Sequence, residues 1–265
     1  RFARGLAEWG AEVIGLGDQP VEALAPTTRA ILADYVRVNS LVDEEDIVAL
    51  KRAGCVSVQF GLESGSEDVR LKVFKKGYTD EIVYGIPKLL RKHKITYRTN
   101  NMMGSPTETL EDMFETARVN KRIQPNGCTV LIYRPFKSTV LGQEDYAKGR
   151  VDLEKDIGPS LQNDTMMKRE DTREVVNLQK LFNVAVYVPG GEAVVRKLIH
   201  LPRNPAFDFT LLAFLWYQHA VVSGYGMLDD FKLGMKNVKQ IFGKSRPEGM
   251  RSFVETLDTG AEATL

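Results

Sequence analysis

Five apolar runs of strand length occupy the first half of the chain, at residues 12–16, 35–38, 56–62, 95–103 and 128–133. Between them the apolar spacing becomes helical. Asp43 stands as an N-cap, Val42 and Ile47 as a hydrophobic staple, and Gly54 as a left-handed stop after Ala53, which predicts a helix over 43–53. Thr79-Asp80-Glu81 opens a second helix whose Ile82, Val83, Ile86, Leu89 and Leu90 form one stripe. Arg91, Lys92, His93 and Lys94 close it against the helix dipole, and Pro87 predicts a kink. After Pro106-Thr107, Leu110, Met113, Phe114 and Ala117 repeat at helical spacing.

Strands separated by helices of ten or more residues favour a parallel sheet wound by right-handed crossovers. An open doubly wound sheet and a sector of a barrel both satisfy the pattern, and in either the ligands gather at the carboxyl ends of the strands. Residues 142–168 are polar and turn-rich. Helices without strands follow: one carries Val175, Leu178, Leu181, Phe182 and Ala185 and ends before Pro189, and two more lie near 206–222 and 228–242. The division expected is an α/β unit over 1–142, a helical region over 143–245 and a flexible tail over 246–265.

Composition narrows the function classes. At 265 residues, with 43% hydrophobic and 27% charged positions, the chain is an ordinary globular protein. A formal net charge of +1 supports no broad phosphate-binding face, so a small molecule is the expected ligand and nucleic acid is not. The two cysteines, Cys55 and Cys128, form no clustered motif and no disulfide framework. The absence of a signal-peptide core in residues 1–10 and of an initial methionine reads as a piece of a longer cytoplasmic protein. The stretch 207–222 is interrupted by Asp208 and by Gln218-His219 and falls short of the ~20 apolar residues of a membrane span. His93, His200 and His219 are too scattered for a zinc site or a catalytic triad.

Each predicted strand delivers a polar cluster at its carboxyl end. Gly17 and Asp18 let backbone and carboxylate approach an ammonium group, or make a plain turn; Pro20 breaks the dinucleotide fingerprint. Arg37 suits a carboxylate or an ion pair. Glu63 and Ser64, framed by Gly61 and Gly65, suit a vicinal diol, with helix capping as the structural alternative. Asn100 and Asn101 with Met102 and Met103 suit the edge and face of a purine, although methionines also fill cores. Tyr133, Arg134 and Phe136 offer rings and a cation.

In order along the chain, the segments LKRAGCVSVQFGLESGSEDVRLKVFKKGYTDE, TNNMMGSPTETLEDMFET and PNGCTVLIYRPFKSTVLG resemble the radical S-adenosylmethionine enzymes, in the branch that often carries an upstream cobalamin-binding domain. The resemblance covers about residues 11–142 and extends more weakly to 201. It implies a partial (β/α)6 TIM-like barrel with strands two to six present, and a reductive cleavage of S-adenosylmethionine that yields a 5′-deoxyadenosyl radical. Methyl transfer or rearrangement on an unactivated carbon would follow. It also implies a [4Fe–4S] cluster held by a CxxxCxxC loop, which this sequence lacks, so the piece alone is expected to be inactive. Cobalamin would come through an upstream domain of the same polypeptide.

By the same resemblance, Gly17 and Asp18 meet the methionine ammonium, and Glu63 and Ser64 the ribose. Asn101, Tyr133 and Arg134 neighbour the adenine, and Arg37 pairs with a carboxylate. The turns depart from the family pattern at Asp18-Gln19, at Gly104-Ser105-Pro106-Thr107 and at Lys137-Ser138-Thr139. The alternative from another class is a non-catalytic, barrel-derived module that binds a nucleotide or serves as a scaffold.

Overall fold

The structure, a computed structural model, describes residues 14–17, 26–30, 34–37, 43–155 and 164–223, with 14–17, 27–28, 34–37 and 219–223 described through the backbone. β1 (Ile14–Gly17) pairs in parallel with β2 (Asp34–Arg37), and the short helix α1 (Pro26–Arg29) lies between them. β3 (Ser57–Glu63), β4 (Thr96–Met103) and β5 (Gly127–Ile132) form a second parallel sheet in that order. All five strands fall within two residues of the apolar runs. Among the described residues they make a two-stranded and a three-stranded sheet, where the barrel expectation placed them side by side.

α2 (Glu44–Arg52) links β2 to β3, and α3 (Asp80–Lys92) and α4 (Leu110–Ile123) are the crossovers of the three-stranded sheet. Asp43 takes the extended N-cap backbone but makes no side-chain cap bond, and Gly54 stops α2 at φ +82° as its position predicts. The staple partner Val42 lies outside the described residues. α3 runs unbroken through the buried Pro87. α4 opens with a capping box: the Asp112 N–H donates to Thr109 Oγ1 at 3.2 Å, and the Thr109 N–H donates to Asp112 Oδ2 at 2.9 Å.

Alternation along the strands divides the residues of the three-stranded sheet between its two faces. Val58, Phe60 and Leu62 of β3, Tyr97, Thr99, Asn101 and Met103 of β4, and Cys128, Val130 and Ile132 of β5 share the face that packs on helices. Gln59, Arg98, Asn100, Met102, Thr129 and Leu131 share the other, where every position is half-buried or exposed.

After β5 come α5 (Val140–Ala147), α6 (Thr172–Tyr187), α7 (Gly191–Leu198) and α8 (Pro205–Ser223). α5 and α7 were not foreseen: each has eight residues, and α5 carries no apolar stripe. α6 is buried on nearly every side, and its Val175, Leu178 and Phe182 share one core with Met103, Met113, Phe114, Cys128 and Val130. The helical region and the sheet therefore pack as a single body around that core. The expected helix at 228–242 and the tail lie outside the described residues. Among the described residues no helix is long and apolar enough to cross a membrane.

Candidate functional site

The carboxyl end of β3 is built around an unusual turn. Glu63 has φ +63°, and the Ser64 N–H donates to the Leu62 carbonyl at 2.8 Å, so Glu63 is the centre of a γ-turn. For a non-glycine residue such a conformation costs on the order of 1–3 kcal/mol and persists only where its surroundings impose it. The ladder to β4 slips between Gly61 and Glu63, a bulge that re-aims the side chain. The Glu63 carboxylate folds back over Gly61, where a Cβ would lie 2.3 Å from Oε1. Lys76 Nζ lies 3.1 Å from the same oxygen, and the Tyr78 hydroxyl donates to the Gly61 carbonyl. Burial and the charge of Glu63 push the Tyr78 phenol up to about 12.

Ser64 points the other way. It is fully buried, its Oγ donates to Glu108 Oε1 at 3.4 Å and lies 3.4 Å from Thr116 Oγ1, and it accepts from the Ser66 N–H at 3.3 Å. The structure thus separates Ser64 from Glu63, as consecutive positions at the end of a strand project to opposite faces. The Gly65 N–H donates to Thr116 Oγ1 at 2.7 Å, and a Cβ on Gly65 would come within 2.4 Å of the Thr116 Cα, so glycine is required there. Glu108 accepts further bonds from the Ser105 N–H at 3.2 Å and the Ser105 hydroxyl at 3.3 Å, and burial pushes its carboxyl up to about 7.

Asn101 also belongs to the covered face. It donates from Nδ2 to the Thr129 carbonyl at 3.0 Å and accepts at Oδ1 from Asn120 Nδ2 at 3.0 Å, while Asn120 takes the Thr99 hydroxyl at 2.6 Å. Those bonds fasten β4 and β5 to α4 and leave Asn101 1% exposed, away from Glu63's side of the sheet. Asn100 occupies the open face, where Gln59 Nε2 donates to its Oδ1 at 2.7 Å.

Tyr133 lies just past β5, with its hydroxyl donating to Asp145 Oδ2 at 2.8 Å, and Arg150 holds the other oxygen at 3.3 Å. Burial and the bond to Asp145 push the Tyr133 phenol well above its usual range. Its ring packs with Val151, Met167, Phe74 and Met102. The Arg134 guanidinium lies 5.6 Å from the centre of the Phe136 ring. Gly17 and Arg37 are register partners at the carboxyl ends of β1 and β2. Asp18 lies outside the described residues.

Arg70, Lys76, Glu108 and Asp145 escaped the sequence reading. Arg70 alone left a signal: it is a charge flanked by Val69 and Leu71 where a helix stripe would be apolar.

An iron–sulfur cluster does not fit the residues present. It needs three thiolates, and the sequence holds two cysteines. Cys128 is buried, donates to Asn183 Oδ1 at 3.2 Å and has its thiol pushed up to about 12 by burial. Cys55 lies in the turn before β3, at the end of that strand opposite Glu63. Among the described residues no group of three or more histidine, cysteine, aspartate or glutamate side chains could hold a metal ion. The Glu63 carboxylate has the chemistry that an adenosyl group's hydroxyls require: acceptor oxygens at a strand end over a glycine, one of them 3.1 Å from Lys76 Nζ.

Residues 13–119 match the family model of the radical SAM superfamily. This match, spanning β1 to the middle of α4, supports placing that stretch in the superfamily and, at that level, a chemistry of reductive S-adenosylmethionine cleavage. No curated protein matches the chain.

Proposed function

We propose that these residues form the S-adenosylmethionine-binding part of a radical S-adenosylmethionine enzyme. Glu63 accepts both ribose hydroxyls at the rim of β3, while Gly17, Asp18 and Arg37 meet the amino-acid end at the rims of β1 and β2. Tyr133 and Arg134 stand beside the adenine. Ser64 and Asn101 support the rim from the helix side. The cluster's thiolates lie outside this sequence, and the 265 residues alone bind the ligand without cleaving it. The order of the motifs from Leu50 to Gly142 supports the cobalamin-associated branch, with methyl transfer or rearrangement of an unactivated carbon as the parent reaction.

The observation that carries this reading is the Glu63 carboxylate, held in a strained turn at the carboxyl end of the parallel strand β3 within the matched segment. Anaerobic treatment of the chain with iron and sulfide, followed by S-adenosylmethionine, tests it. Saturable binding without 5′-deoxyadenosine is the expected result. Release of 5′-deoxyadenosine would contradict the assignment of the thiolates, and absence of binding would contradict the site.

A further inference from the structure

A question left open by the γ-turn is what keeps Glu63 in it. The answer lies seven residues on. Arg70 belongs to a π-helical turn over Val69–Val73, a local widening found mostly at functional positions, and its side chain is wholly buried. Its Nη1 donates at 2.9 Å to the Ser64 carbonyl and at 2.9 Å to the Gly65 carbonyl, the second and third peptide groups after Glu63. Its Nη2 donates to Asp80 Oδ1 at the first position of α3, with Glu67 Oε2 at 3.8 Å. The Glu67 carboxylate in turn accepts from the Asp80 N–H at 2.6 Å. Nε alone is buried without a partner.

A planar guanidinium can grip two carbonyls and a carboxylate at fixed angles, which a single ammonium cannot. Both carbonyls belong to the two residues that directly follow Glu63 in the chain. Releasing them would let residues 63–65 relax toward ordinary extended backbone, and the Glu63 side chain would leave its place over Gly61. The opposite end of the clamp, Asp80, is half-exposed, so it can be altered without opening the core.

We propose that Arg70 is the positioning residue for Glu63: its clamp on the Ser64 and Gly65 carbonyls, anchored to Asp80, holds the carboxylate where it accepts a ribose diol. This rests on the reading of Glu63 as the ribose acceptor. The test compares the affinity of the 265-residue chain for adenosine and for 2′,3′-dideoxyadenosine by calorimetry, in the wild type, Glu63→Gln, Asp80→Asn and Arg70→Gln, each checked for a cooperative thermal transition.

The wild type is expected to prefer adenosine at least tenfold, and Glu63→Gln to abolish that preference. Asp80→Asn and a folded Arg70→Gln should cut it at least threefold while the affinity for the dideoxy ligand stays unchanged. Full preference in Asp80→Asn, or an equal loss for both ligands, overturns the proposal; should Arg70→Gln fail to fold, Asp80→Asn decides. Full preference in Glu63→Gln instead overturns the ribose reading itself.

Discussion

The two faces of the β3–β4–β5 sheet are made from alternate residues of the same strands, yet they differ in almost every physical respect. The covered face holds Leu62, Tyr97, Met103, Cys128 and Val130, each at most 2% exposed, and closes its polar members Thr99 and Asn101 into a network with Asn120. The opposite face carries Gln59, Arg98, Asn100 and Thr129, and it leaves Glu63 at its upper edge with a carboxylate partly open to solvent. A shift of one position along a strand therefore separates a residue that stabilises the fold from one that can meet a ligand. Polarity alone does not distinguish them, because both faces contain asparagine and threonine.

The difference can be broken at its strongest point by truncating the shared core. Phe182→Ala removes a wholly buried ring between α6 and the sheet and should cost about 3–5 kcal/mol, read as a lower denaturant midpoint. A loss below ~1 kcal/mol would mean that the helical region and the sheet do not share a core.

Glu108 tests the covered face by pH. Its carboxyl is pushed from 4.5 up to about 7 in the fold, so the native state holds more protons than the unfolded chain between those values. Stability should be greatest at and below pH 4.5 as far as this group is concerned, and should fall by roughly 3 kcal/mol as pH rises through 7. Glu108→Gln should flatten that window in denaturation curves measured across it. An unchanged slope would show that the buried carboxyl stays ionised.

Asn120→Ala leaves the Thr99 hydroxyl and the Asn101 carbonyl oxygen without their partner and should cost about 2 kcal/mol in the same assay. Gln59→Ala, on the open face, should fall within about 0.5 kcal/mol of the wild type. Equal costs for the two variants would erase the distinction between the faces.

Much of the fold was legible in the sequence because apolar runs and caps act locally. Gly54 stops α2 and the stripe from Leu110 to Ala117 makes α4, each by a rule confined to a few neighbours. α7 was missed because eight residues between Gly190 and Pro202 give too little periodicity to recognise. The site was harder to read. The pair Glu63-Ser64 reads as one cluster in sequence, yet neighbouring positions at a strand end face opposite ways, and Ser64 is buried against Glu108 and Thr116 while Glu63 folds over Gly61. Asn101, an adenine neighbour by resemblance, has the same side chain as Asn100, and only register with β5 turns it toward α4. The clamp through Arg70 and Asp80 depends on residues ten positions apart meeting across a π-helical turn, which no short-range pattern announces.

If the rim of β3 receives an adenosyl group, it does so through the Glu63 carboxylate. In equilibrium dialysis of S-adenosylhomocysteine against the wild-type chain and Glu63→Gln, binding should be saturable and at least tenfold weaker in the variant; superimposable curves for the two proteins would rule that carboxylate out as the acceptor.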